Sequence, residues 1–265
     1  VTRDSPLIPD PADALPTAPA APPRGFRQTL ATLRAAQKPA ARSAPAYSRF
    51  VNRRIGRYLA AWAYSVGLGP NAVTAISALF TFAGIALLAL VPPSGVLGIG
   101  VALLLVIGYA FDSADGQVAR LRGIASPAGE WLDHVVDAVK VSAMPIALAV
   151  GFYRFDVVEP VWLLVPLISA IVSAVLFFAM ILTEQLRRQH GEASLAADAP
   201  GRPSWLRAVL VLPMDYGVLC LSFLLLGALP AFLVVYTLIA LATAAFLVLA
   251  LAKWFREMKT LGSPR

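Results

Sequence analysis

The sequence predicts an all-α integral membrane protein, with six transmembrane helices preceded by an amphipathic interfacial helix. Three observations carry that expectation. Hydrophobic residues make up 58% of the 265-residue chain and charged residues only 14%, where soluble domains carry about 25% charged residues. Six apolar segments recur at roughly 71–91, 96–119, 133–152, 161–182, 208–228 and 231–252, each approaching the ~20 residues a helix needs to cross the hydrocarbon core. Lysine and arginine are also divided very unevenly among the links between those segments.

Residues 1–45 are rich in proline and alanine, as in PADALPTAPAAPPR, and contain no apolar stretch of signal-peptide type. They read as a disordered cytoplasmic tail, with a short helix around Phe26–Ala36. Residues 47–66 are amphipathic. Tyr47, Phe50, Val51, Ile55, Tyr58, Leu59, Trp62 and Val66 share one side of a helix, while Arg49, Arg53 and Arg57 take the other and Arg54 borders it. A basic face opposite an aromatic one suits the interface of an anionic leaflet; the same pattern also fits a helix packed on the protein.

GLGPN and VPPSG bracket the first apolar segment, and GFYRFDVVEP separates the third from the fourth. A polar link runs from about Glu184 to Arg207, and Gly227 with Pro230 marks a tight turn before the sixth segment. The membrane domain is therefore expected over 46–255, followed by a short basic tail at 256–265. Six crossings put twenty of the 22 Lys and Arg on one side, with Arg154 opposite and Lys140 inside the third segment. That asymmetry predicts cytoplasmic termini and a cytoplasmic second-to-third link. The net charge of +7 is thus a topology signal, and no nucleic-acid partner is expected. Cys220 is the only cysteine, which excludes an intrachain disulfide and a cysteine-based metal site.

The second-to-third link and its flanks read DSADGQVARLRGIASPAGEWLDHVVD, from Asp112 to Asp137. Asp112 and Asp115 are three apart, and Asp133 and Asp137 four apart, so each pair shares a helix face. Gly116, Ala119 and Gly129 keep those faces small enough for a bulky anionic ligand. Charged side chains at membrane depth are costly and usually functional, and four crowded carboxylates repel one another unless cations intervene. All-oxygen ligation favours Mg²⁺ or Mn²⁺ over Zn²⁺, and paired metals are a device for phosphoryl transfer. Arg120 can pair with a phosphate or an aspartate.

The pattern D-x2-D-G-x2-A-R-x8-G-x3-D-x3-D resembles the signature of the CDP-alcohol phosphotransferases, and all eight fixed positions are present within the 26 residues from Asp112 to Asp137. A weaker likeness lies in GPNAVT, similar to the family's P-N-x-x-T opening. The resemblance implies six membrane helices after an interfacial helix, and a homodimer. It implies that Asp112, Asp115, Asp133 and Asp137 bind two Mg²⁺ or Mn²⁺ ions, with Asp137 also the general base. Gly116, Ala119, Arg120 and Gly129 would shape the cytidine-diphosphate pocket, with Asn71 and Thr74 at its border. The donor would be a CDP-linked lipid such as CDP-diacylglycerol, with a soluble CDP-polyol as the alternative.

The acceptor is a small polar alcohol that the signature does not specify. Serine, glycerol 3-phosphate, an inositol phosphate and other polyols stay open. The basic stretch of phosphatidylinositol-phosphate synthases after the fourth segment reads TEQLRRQHG here, a poor match. Two other classes compete: an ion or proton carrier using intramembrane acids, and a scaffold that has lost catalysis. Lys140 shares a face with Asp133 and Asp137, and either pairs with an aspartate or contacts the acceptor. Asp215, in LPMDYG, either contacts the acceptor or caps a helix.

Overall fold

The computed structural model describes residues 25–35, 45–124, 126–195 and 215–261, and no β-strand occurs among them. The short helix in the N-terminal region forms as α1 (Phe26–Ala35), burying Thr29, Leu30 and Leu33 on one side. That side rests on α2 (Arg53–Ser65), which follows a π-type turn over Ser48–Asn52. The remainder of the expected tail, 1–24 and 36–44, lies outside the described residues.

α2 packs through its smallest side chains. Gly56, Ala60, Ala61 and Ala63 are buried, and a Cβ on Gly56 would press into the Ser113 side chain. The larger apolar residues Phe50, Ile55, Tyr58, Trp62 and Val66 are exposed. Small residues let helix backbones approach closely, which is how helices gain contact where the solvent is as apolar as they are.

Five helices are long and apolar enough to cross a membrane. They are α3 (Pro70–Leu90), α4 (Gly95–Arg122), α5 (Pro127–Arg154), α6 (Leu164–Gln189) extended backwards by a 3-10 turn at Pro160–Leu163, and α8 (Leu229–Thr260). The fifth predicted crossing, 208–228, departs from expectation. Its described part is α7 (Tyr216–Ser222) and a 3-10 turn at Phe223–Gly227. A helix of that length spans about 18 Å, against a ~30 Å hydrocarbon core. Asp215 has extended backbone (φ −73°, ψ 118°) and starts α7 as its cap, so the apolar run is not one continuous helix. The described residues therefore carry five full-length spans rather than six.

α4 lies at the centre, touching α2, α3 and α7. Ser77 Oγ donates to the Gly108 carbonyl at 2.8 Å, and a Cβ on Gly108 would collide with the Thr81 hydroxyl. α4 ends at Gly123, which takes the left-handed conformation (φ 63°). Ser126 then caps α5 by accepting the Gly129 N–H at 3.1 Å, with Pro127 in the first turn. This short connection turns the chain from α4 into α5, and carboxylates from the two helices converge beside it. One core cluster, around Leu105, Leu148, Phe152, Phe223 and Phe232, fills the bundle away from this hairpin. A second, around Leu33, Ala60, Val73, Phe111 and Val118, supports the hairpin end.

Candidate active site

Asp112 on α4 and Asp133 and Asp137 on α5 each turn a carboxylate oxygen inward, and these oxygens lie within 4.8 Å of one another. The buried Lys140 amine sits between two of them, 2.5 Å from Asp112 Oδ1 and 2.6 Å from Asp137 Oδ1. One ammonium thus offsets part of a charge concentration that would otherwise repel itself. The donor set is all carboxylate, which fits a hard cation such as Mg²⁺ or Mn²⁺.

Asp115 stands apart from that trio. It is buried against α3, where Thr74 Oγ1 donates to its Oδ2 at 2.7 Å and its Oδ1 accepts the Gly116 N–H at 2.5 Å. Asp115 and Asp133 line a pocket of about 440 Å³, together with Asn71, Thr74, Gly116, Ala119, Arg120 and Gly129. The pocket thus gathers six of the eight fixed residues of the sequence pattern together with the P-N-x-x-T stretch, while Asp112 and Asp137 are not among its walls and meet Asp133 in the trio. Asn71 and Arg120 are exposed at its rim. A Cβ on Gly129 would come within 3.5 Å of Asn71 Oδ1, an ordinary contact, so α3 and α5 approach closely at this point of the wall.

Four further wall residues fall outside the sequence pattern: Ile124, Ser126, Pro127 and Glu130. Ser126 and Pro127 carry an ordinary helix-start signal, which says nothing about a ligand. Glu130 is engaged by Arg188 at 2.6 Å, and Arg188 also reaches Glu184 at 3.3 Å. Arg187 pairs with Glu257 at 3.1 Å. Arg187 and Arg188, the basic pair of TEQLRRQHG, are therefore tied to carboxylates, while Arg202 and Arg207 in the following link lie outside the described residues. His134 is 3.7 Å from Glu130 and its ring meets Phe177 edge-on.

Asp215 is fully buried and acts as a cap. Its Oδ1 accepts the Gly217 N–H at 3.0 Å, and its Oδ2 accepts the N–H groups of Tyr47 and Ser48 at 2.7 and 3.3 Å. One carboxylate thereby closes the first turns of two helical segments.

Comparison with known proteins sets this geometry in context. A family model described as CDP-alcohol phosphatidyltransferase matches residues 68–257. A stretch of 56 residues is 45% identical to CDP-diacylglycerol–serine O-phosphatidyltransferase of Saccharomyces cerevisiae, and it spans 20% of this chain and 20% of that relative's length. The apo crystal structure of Mycobacterium tuberculosis phosphatidylinositol phosphate synthase superposes with a TM-score of 0.51 at 26% identity, over 73% of this chain and 93% of that one. The structure of the same synthase with manganese and citrate gives 0.52 at 24% identity, over 77% and 89% of the two chains.

Proposed function

The chain belongs to the CDP-alcohol phosphatidyltransferase family, and from that premise we propose that it transfers a phosphatidyl group from CDP-diacylglycerol to a small alcohol, releasing CMP, in phospholipid synthesis. The observation that carries this reading is the trio Asp112, Asp133 and Asp137, within 4.8 Å, at the edge of a 440 Å³ pocket lined by the rest of the motif. The likeness to a phosphatidylinositol phosphate synthase and to a serine phosphatidyltransferase supports the same reaction class.

In this reading the four aspartates bind two Mg²⁺ or Mn²⁺ ions. Metal bound there neutralises the donor's pyrophosphate and the charge that develops during transfer. Gly116, Ala119 and Gly129 admit the cytidine diphosphate, and Arg120 at the rim holds a phosphate oxygen. Asp137 takes the proton from the acceptor hydroxyl. The acceptor oxygen then bonds to the β-phosphorus, the bond to the bridging oxygen breaks, and CMP leaves. The exposed aromatic stripe of α2 seats in the cytoplasmic leaflet, on the side chosen by the Lys and Arg distribution.

CMP release tests this directly. Purified protein with Mg²⁺ and CDP-diacylglycerol should release CMP in step with a new lipid for at least one of serine, glycerol 3-phosphate or inositol phosphate. Nucleotide binding without turnover on any acceptor would instead mark a scaffold, and absence of nucleotide binding would favour an ion carrier.

A further inference from the structure

A second cavity lies beyond the carboxylate cluster. Its volume is about 230 Å³, and Val141, Ser169, Asp215, Tyr216 and Tyr236 are among its walls. Val141 follows Asp137 by one helical turn on α5, so the cavity wall begins one turn beyond that aspartate. Among the described residues no Lys or Arg lines it and Asp215 is its one acid, occupied by three backbone N–H groups.

Tyr216 lies between the cavity and the helices that carry the cluster. Its ring meets Tyr109, which precedes Asp112 by three residues on α4, and it shares the cavity wall with Val141, which follows Asp137 by four on α5. Its hydroxyl oxygen is buried, and among the described residues the Cys220 thiol is its polar neighbour, with no hydrogen bond of good geometry. A thiol is only a weak acceptor, so the phenol's donor stays poorly matched in the protein. The ring is nevertheless firmly held. It meets Tyr109 edge-on at 5.0 Å, and Tyr109 in turn stacks on Tyr47 at 6.3 Å. The residue before it is pinned as the double cap. A rigid side chain with a poorly matched donor suits a ligand oxygen.

The direction of transfer identifies which ligand. In-line displacement at phosphorus requires the attacking oxygen to enter opposite the leaving group. With CMP in the pocket lined by Asp115 and Asp133, as the transferase reading has it, the nucleophile would arrive from the side of Asp112 and Asp137, the side on which the cavity walled by Val141 and Tyr216 lies.

We propose that Tyr216 orients the acceptor alcohol: its hydroxyl donates a hydrogen bond to the acceptor and holds the attacking oxygen beside Asp137. Asp137 takes the acceptor's proton, and Tyr216 keeps its own. This rests on the transferase reading above and adds to it a residue outside the sequence motif.

The test is the kinetics of Tyr216→Phe in the full chain, with Mg²⁺, CDP-diacylglycerol and whichever of serine, glycerol 3-phosphate or inositol phosphate the unaltered protein uses. Phenylalanine keeps the ring and its contact with Tyr109 and removes an oxygen that makes no hydrogen bond of good geometry, so thermal stability should not fall. The acceptor kcat/KM should drop about tenfold, equivalent to ~1.4 kcal/mol, while donor KM stays within about twofold. An acceptor kcat/KM within about twofold of the unaltered protein overturns the proposal. So does an equal loss toward donor and acceptor, which marks a structural role. An unaltered protein inert toward the whole panel overturns the transferase reading and this proposal with it.

Discussion

Asp215 Oδ2 accepts the backbone N–H of Tyr47 at 2.7 Å, across 168 residues of chain. Through this bond the segment entering α2 and the start of α7 share one capping group. Next to it, a Cβ on Gly217 would overlap the Tyr47 ring, so that ring packs flat on bare backbone. The amphipathic helix α2 is thus tied to the residue neighbouring Tyr216.

Asp215→Ala should therefore destabilise the protein well beyond one ordinary cap. A lost N-cap costs about 0.5–2 kcal/mol, and hydrogen bonds to a charged group are worth about 1.5–3 kcal/mol each. We expect a loss of about 3 kcal/mol, or roughly 6–12 °C in thermal midpoint for a chain of this size. Gly217→Ala should lower the midpoint too, by forcing Tyr47 from its seat, at about 1–3 kcal/mol. Midpoints measured in detergent check both. An unshifted Asp215→Ala protein would mean that the tie contributes nothing to holding α2.

Thr74→Val should act on the donor side alone. Valine keeps the shape of threonine and removes the hydrogen bond to Asp115 Oδ2. Asp115 then keeps only the Gly116 N–H to fix it at the wall of the 440 Å³ pocket proposed to take the nucleotide. Donor KM should rise by about threefold to tenfold, matching the loss of one hydrogen bond of ~1 kcal/mol, while acceptor KM holds steady. Thr74→Ser, which keeps the hydroxyl, should restore the donor KM. Failure of serine to do so would assign the effect to packing.

Much of this site was legible because it breaks a strong rule. Carboxylates at membrane depth need a reason, and spacings of three and four put Asp112, Asp133 and Asp137 on facing helix surfaces. The long spans were legible from apolar length. Three features were not. The packing side of α2 was obscured because Gly56, Ala60 and Ala61 make the seam, while its larger apolar residues face outward, the reverse of the soluble pattern. The break at Asp215 is invisible to a hydropathy window, since one capped turn inside an apolar run hardly changes the average. Tyr216 carries no local signal at all; its significance comes from α4 and α5 passing close to α7.

Lys140→Met should make stability depend on metal. The Lys140 ammonium bridges Asp112 and Asp137, and its removal leaves three neighbouring carboxylates without their nearest cation. Breaking a buried ion pair costs about 3–5 kcal/mol. The aspartate side chains retain 21% and 26% exposure, so solvent screening trims the expected loss to about 2 kcal/mol. In EDTA the variant should melt roughly 4–8 °C below the unaltered protein. Excess Mg²⁺ or Mn²⁺ should recover most of that gap, because a ligand that binds only the folded state stabilises it. A gap that is the same with and without metal would separate Lys140 from the metal-binding carboxylates.

Asp137→Asn separates proton transfer from metal binding. Asparagine keeps the size and one oxygen of the side chain, and cannot accept the acceptor's proton at neutral pH. As general base, Asp137 contributes about a hundredfold to ten-thousandfold, so kcat should fall by at least about a hundredfold. The substitution also removes one carboxylate from the trio within 4.8 Å and one partner of Lys140. Weaker metal binding would therefore lower turnover as well. A Mn²⁺ titration of CMP binding resolves the two effects, because it reads the nucleotide pocket without requiring chemistry. If the base assignment holds, saturating Mn²⁺ restores CMP binding while kcat stays depressed. If Asp137 acts only as a ligand, saturating Mn²⁺ restores both. Near-normal turnover at ordinary metal concentration would remove Asp137 from the mechanism and leave Asp133 as the remaining carboxylate on that face of α5.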